Sequence, residues 1–292
     1  MKKSVLILAN EYDLCSHLVH RQLKSMKIST LNIPENRFLE AKLNWEIGDE
    51  ERSYIEFMGN RLTFNEITGV LTRYSGNFNT SDYEESDKNY VIQETKAALL
   101  AWLNAIPGVI INRPKPETSF GNTLQLQELY HILKIPEIPI PKTLITNNLD
   151  EVKLFHESCN RKTRFKPFLT SSYYELEGDN ILYIEPITPE LPLRLEETLT
   201  GITYSVYVIG EEAICIKDGA LSYDASAKAL TLTKDISRLL RTEFLQVDIL
   251  VRGGEIYLKK IDFYPKYYHA DKQVQTLLTK KIANHLIGDM IL

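Results

Sequence analysis

The chain has 292 residues, 43% of them hydrophobic and 25% charged, with a net charge of −5. This is the composition of a soluble globular protein with room for one large domain or two to three lobes, and it supplies no overall basic field to favour nucleic acid or an anionic membrane. Cys15, Cys159 and Cys215 are far apart, without metal-ligand or redox spacing, which fits a reduced, cytoplasmic setting.

The opening MKKSVLILAN has a short apolar run, no small-residue cleavage site, and leads straight into EYDLCSH. It reads as a first strand, buried on both faces of a parallel sheet, and not as a signal peptide. No apolar run approaches the roughly 20 residues a membrane span needs. A helix follows, with Leu14, Leu18 and Val19 on one face. KISTLNIP reads as a second strand, YIEFMGNRLTF as a hairpin around Gly59-Asn60, and ITGVLTRYS as another buried strand. This βαβ start argues for an α/β lobe. Residues 77–88, polar and acidic, read as a mobile loop. The spacing of Val91, Thr95, Ala98 and Trp102 predicts a helix over 90–106. GVIINRP is a short strand, TLQLQELYHILK a helix, and IPEIPIPKTLIT a proline-stiffened entry into a strand.

From about Lys162 the segments RFKPFLTSSYYEL, NILYIEP, TYSVYVIG, EAICIKDGAL and KALTL read as antiparallel strands. DISRLLRTEF reads as a helix, LQVDILV and EIYLKKIDF as paired strands, and KQVQTLLTKKIANHLI as a closing helix. Neither the P-loop nor the Rossmann fingerprint is present, nor is the G-x-S-x-G elbow. His17 and His20 share a helix face, but no acid or cysteine is spaced to complete a zinc site, so they read as surface residues.

The order of segments carries more than any one motif. An α/β lobe followed by NRPKPETSFGNTLQLQELYHILKIPEIPIPKTLITNN, RFKPF, YSVYVIG, VDILV and EIYLKKIDF resembles the ATP-grasp fold. More narrowly, it resembles the microviridin-type, or graspetide, ligases that crosslink ribosomal peptides. Asn10 and Asp13 match that family's N/T-x-x-D, Arg73 its strand-ending arginine, and Glu94 its helical glutamate. Asn112 and Pro114 match its Asn-x-Pro, Gln125 and Leu126 its Gln-Leu pair, and IPKTLITNN its Ile-Pro-x-Thr-x-x-Thr-Asn.

The resemblance implies an N-terminal α/β pre-ATP-grasp lobe over 1–115, a central small lobe over 116–195 and a C-terminal lobe over 196–292. It also implies ATP, with lysine on the phosphates and Mg2+ held by carboxylates. Lys166 matches the phosphate lysine, and Phe165 and Phe168 flank it. Asp248 matches the metal aspartate, Lys260 stands where the family has glutamate, and Asp262 where it has asparagine. A peptide substrate or leader peptide is the implied partner, recognised near Arg73 and the 77–88 loop. Another ATP-grasp protein or a second copy in a homodimer are further partners it allows.

The sequence departs from the family in three more places. Thr123 follows Asn122 where a lysine is usual, Ser205 replaces an arginine, and no Gln-Glu-x-Ile hinge is evident between FKPF and YSVYVIG. With a three-residue turn, Asp248, Lys260 and Asp262 share a face; with the two glycines alone, Asp248 faces Lys259. Either register sets an ammonium beside an aspartate, where it would repel a metal ion. The plain alternative is that both lysines snorkel to the surface. Two functions follow: a ligase that activates a peptide carboxylate for an amine or hydroxyl, or a catalytically degenerate relative that binds a peptide or serves as the partner subunit of an active ligase.

Overall fold

The structure, a computed structural model, describes residues 3–115, 139–166, 173–178 and 192–288. The expected helix at 123–134 with Gln125 and Leu126, the Asn122-Thr123 pair, Phe168 and the whole of NILYIEP lie outside the described residues. The chain divides into two compact units: Met1–Lys134, Tyr204–Asp248 and Lys260–Leu292 form the first, and Ile135–Thr203 with Ile249–Lys259 the second.

The first unit opens with β1 (Ser4–Ala9), α1 (Leu14–Ser25), β2 (Ser29–Pro34), β3 (Lys42–Glu46), β4 (Asp49–Phe57), β5 (Asn60–Thr63), β6 (Ile67–Arg73), α2 (Glu85–Ala105) and β7 (Val109–Ile111). The order β2-β1-β6-β7 makes a four-stranded sheet, parallel throughout. Every residue of β1 is buried, and its alternation divides the core. Val5, Ile7 and Ala9 join one apolar cluster with Cys15, Val19 and Leu23 of α1. Leu6 and Leu8 join another, with Leu99, Trp102 and Leu103 of α2. Gly69 in β6 is required: a Cβ there would collide with the backbone of Leu286.

Three expectations for this unit need correcting. In α1 the buried set is Cys15, Ser16, Val19 and Leu23, whereas Leu14 is 52% exposed; the buried stripe therefore runs i, i+4, i+8 from Cys15. Helix α2 begins at Glu85, inside the expected loop, with Glu85 and Asp87 in its first turn, where acids oppose the positive helix end. Its inward face is Leu99, Trp102 and Leu103, while Ala98 is exposed. The hairpin turn is Met58-Gly59, both with positive φ, and β3 adds a third antiparallel strand to it.

The second unit holds β8 (Thr143–Thr146), α3 (Leu149–Ser158), β9 (Lys162–Phe165), β10 (Tyr174–Glu177) and β11 (Leu193–Glu197). The strands form a sheet in the order β10-β9-β11-β8. Val152 of α3 packs with Leu176, Leu193 and Leu195.

The chain continues as β12 (Ile202–Ile209), β13 (Glu212–Lys217), β14 (Ala220–Leu221), α4 (Ala227–Leu240), β15 (Phe244–Arg252), β16 (Glu255–Asp262) and α5 (Lys272–Ile287). The five strands order as β14-β13-β12-β15-β16. KALTL is the first half of α4 and not a strand: Ser226 caps it by accepting from the Ala229 N–H. Ala229, Thr233, Ile236 and Leu240 are buried at helical spacing. The turn between β15 and β16 is Gly253-Gly254, both with positive φ, as a two-residue hairpin demands.

Candidate functional site

Two groups of charged side chains stand where the family resemblance directs attention, one in each unit. In the first unit, Ser205 and Tyr207 lie two apart on β12 and so share a face. The Ser205 hydroxyl donates to Asp248 Oδ1 at 2.7 Å, and the Gln246 amide donates to the same oxygen at 2.8 Å. Lys260 Nζ is 2.9 Å from Asp262 Oδ2, and Asp262 Oδ1 accepts from the Tyr264 N–H. The buried Tyr207 hydroxyl is pushed up, first by burial and then by Asp248 and Asp262. The ammonium beside an aspartate is thus an i, i+2 pair within β16, Lys260 to Asp262. The neighbouring Lys259 donates to Thr203 Oγ1 at 3.5 Å.

This donor set does not fit a pair of Mg2+ ions. Magnesium requires oxygen ligands in near-octahedral order. Here one carboxylate has an ammonium on it, the other is held by two neutral donors, and the third position is a lysine. Lys260 is 46% exposed, so its pair with Asp262 is screened and contributes about 0–1 kcal/mol.

We expect Lys260→Glu to replace the Lys260–Asp262 pair by two acids two apart on β16 and lower the melting temperature by about 2–4 °C in metal-free buffer. Millimolar magnesium is expected to recover part of that loss, since an ion bound only by the folded state stabilises it. Thermal unfolding with and without magnesium checks this. A variant as stable as wild type and indifferent to magnesium makes Lys260 a plain surface lysine.

In the second unit, Lys166 follows β9 and its backbone N–H bonds to Arg194 O. Its Nζ lies 3.6 Å from Glu196 Oε1. Arg164 grips Glu196 Oε2 through Nε at 3.0 Å and Nη2 at 2.7 Å, and Arg194 Nε is 3.7 Å from Oε1. Arg194 and Glu196 are both buried. Burial holds the Lys166 ammonium below its ordinary range; Glu196 opposes this, and Arg194 and Arg164 reinforce it. Phe165 stacks on Tyr174 with centroids 6.1 Å apart. Three cations thus surround one buried carboxylate and leave the cluster net positive.

Arg73, at the end of β6, is buried in the first unit. Its Nε donates to Asp13 Oδ2 at 2.7 Å, and its Nη2 reaches Pro265 O at 3.2 Å and Tyr264 O at 3.5 Å. Asp13 also caps α1, accepting from the Ser16 N–H at 2.9 Å. Asn112 clamps the backbone: its amide donates to Phe244 O and Phe263 O, and its carbonyl accepts from the Phe244 N–H. Glu94 is exposed and takes no part in this group.

Sequence reasoning missed Gln246, Arg164, Arg194, Glu196 and the buried Glu35. Glu35 accepts from Asn10, from the Ser75 hydroxyl and from the Gly76 and Asn77 N–H groups. Arg164-x-Lys166 and Arg194-x-Glu196 carried a signal, because residues two apart on a strand share a face. Glu35 carried none.

No protein-family model matches the chain, and no curated protein matches it by sequence. Solved structures do. The fold is that of the ATP-grasp ligases, matched over nearly the whole chain. Among them is the macrocyclase MdnC of Microcystis aeruginosa MRC, solved with its precursor peptide MdnA. It superposes with a TM-score of 0.74 at 15% identity, covering 97% of this chain and 99% of that one. The ATP-grasp ligase PsnB, solved with a minimal precursor, Mg and ADP, gives 0.75 at 16% identity over 97% and 98%. An ATP-grasp ligase from Chryseobacterium gregarium, solved with ADP and a leader and core peptide, gives 0.73 at 13% over 97% and 96%.

Proposed function

We propose that this chain is an ATP-grasp protein related to the ligases that join a carboxylate to an amine or hydroxyl on ribosomal peptides, with its metal site rebuilt around its own lysine. The observation that carries the reading is the 2.9 Å pair between Lys260 and Asp262. An ammonium occupies the carboxylate that a catalytic cation would need. The phosphates of ATP bind in the second unit, on Lys166 with Arg164 and Arg194. The likeness to ligases solved with precursor peptides and ADP supports a peptide partner and a nucleotide.

The same ion pair, together with Ser205 in place of arginine, favours a second reading: a non-catalytic peptide-binding protein or the partner subunit of an active ATP-grasp ligase. The division into lobes over 1–115, 116–195 and 196–292 belongs to this proposal, as do the cytoplasmic setting and a homodimer. Among the described residues no helix is long and apolar enough to cross a membrane.

Calorimetry with ATP, with and without magnesium, tests the reading, combined with phosphate release in the presence of acidic peptides. Binding that depends little on magnesium is expected. Phosphate release with peptide selects the ligase, and binding without turnover selects the degenerate relative. No binding at millimolar ATP overturns both nucleotide assignments.

Lys166→Met is expected to weaken ATP about tenfold. It should leave stability unchanged or higher, because a buried ammonium whose pKa is held down costs stability while charged. A melting temperature that falls while ATP affinity is unchanged would count against Lys166 as a phosphate group.

A further inference from the structure

The parallel sheet carries a cavity of about 480 Å3 at the carboxyl ends of β1 and β6. There the chain leaves β1 toward β2 on one side and β6 toward β7 on the other. The two connecting helices pack on opposite faces: α1 joins the cluster of Val5 and Ile7, and α2 that of Leu6 and Leu8. Connections that depart to opposite faces of an open parallel sheet leave a crevice between them, the usual place for a ligand in such folds.

The walls of this crevice set tyrosines and a leucine among polar and charged groups. Tyr12 and Leu14 line it from the β1–α1 side, and Tyr264 and Tyr268 from the segment after β16. Tyr12 is 81% and Leu14 52% exposed, large side chains standing in water at the rim. Covering them is favourable, and a tyrosine ring loses little rotamer freedom when covered. Of the charged groups lining the crevice, Asp13 is paired with Arg73 and Asp262 with Lys260. Lys266 also lines it, is exposed, and has no ion-pair partner among the described residues. A ligand is therefore offered one positive charge beside an aromatic wall.

We propose that this crevice binds a short peptide segment presenting an aromatic or large apolar side chain next to a carboxylate, the ring against Tyr12, Leu14 and Tyr268 and the carboxylate on Lys266. The class of ligand rests on the peptide-recognition reading above; the chemistry rests on the crevice.

The test uses the whole chain and backbone-amide NMR shifts, with N-acetyl-Phe-Glu-amide as the probe. N-acetyl-Phe-Gln-amide, N-acetyl-Ala-Glu-amide and AMP serve as comparisons. The first dipeptide is expected to bind with a Kd on the order of 1 mM and to shift Asn10 to Leu14 and Arg73 to Ser75. The Gln and Ala dipeptides are each expected to bind about fivefold more weakly, the factor that one exposed charge pair or one covered side chain supplies at a surface. Lys266→Met should weaken the Phe-Glu dipeptide to the level of the Phe-Gln one, and Tyr12→Ala to the level of the Ala-Glu one; both residues are exposed, so neither change threatens the fold.

Equal binding of the Glu and Gln dipeptides, or shifts elsewhere only, overturns the proposal. AMP displacing the dipeptide from these residues overturns it in favour of a nucleotide. The ATP calorimetry reports on Lys166 in the other unit. Dipeptide binding without ATP binding therefore sinks the nucleotide reading alone, and the reverse result sinks this one alone.

Discussion

Replacing Glu196 with alanine is expected to lower the stability of the second unit by about 3–5 kcal/mol, the cost of leaving buried charges without their counter-ion. Its side chain is 3% exposed and is shared by Arg164, Lys166 and Arg194. That loss is a large part of the roughly 5–15 kcal/mol available to a folded domain. Denaturant unfolding followed by a probe in this unit measures it. Pyrophosphate at about 100 times its Kd is expected to return about 2.7 kcal/mol, because an anion binding only the folded state replaces the missing carboxylate.

The pH dependence has a definite sign. Lys166 is held below its ordinary 10.5, first by burial, with Glu196 pulling the other way. A folded pKa below the unfolded one means that the unfolded chain binds the proton more tightly. The penalty for a charged Lys166 is then full below the folded value and disappears as pH climbs toward 10.5. Removing Glu196 lowers the folded value further, so the variant should gain stability with rising pH over a wider range than wild type. A midpoint within about 0.5 kcal/mol of wild type, or no recovery with pyrophosphate, would mean that the three cations do not depend on Glu196.

What the sequence disclosed divides along the line between local pattern and tertiary partnership. The run SVLILAN announced a strand buried on both faces, and β1 splits its residues between two cores as such a strand must. The order of segments from NRPKP to KKIDF carried the ATP-grasp architecture, although no single motif was decisive. Lys260 and Asp262, two apart on one strand, could be paired by counting. Gln246 could not, because its role depends on where β12 sets Ser205 relative to Asp248. Glu35 looked like any surface acid, yet it is fully buried and accepts from residues about 40 positions away as well as from Asn10. KALTL failed for a different reason. Five alternating residues fit a strand, and only the longer run to Leu240 reveals the helical period that α4 buries.

Arg73→Met is expected to cost the first unit about 3–5 kcal/mol, and this outcome separates two roles for that arginine. A residue that only greets a peptide would leave the melting temperature unchanged when replaced. Arg73 instead has its guanidinium bound at Asp13 and at two backbone carbonyls, with its side chain 6% exposed. Methionine keeps the stem and removes every one of these contacts. Asp13 loses its cation but still caps α1 through the Ser16 N–H. Asp13→Asn keeps that cap, since asparagine caps as well as aspartate, and leaves the arginine buried beside a neutral amide. Each single variant therefore strands one charge, and the double variant strands none. The double variant is expected to lose less than the sum of the two, with a coupling of about 1–3 kcal/mol. Unfolding of all four proteins in one buffer measures that coupling. A coupling near zero with unaltered melting temperatures would release Arg73 from its structural duty and return it to the peptide.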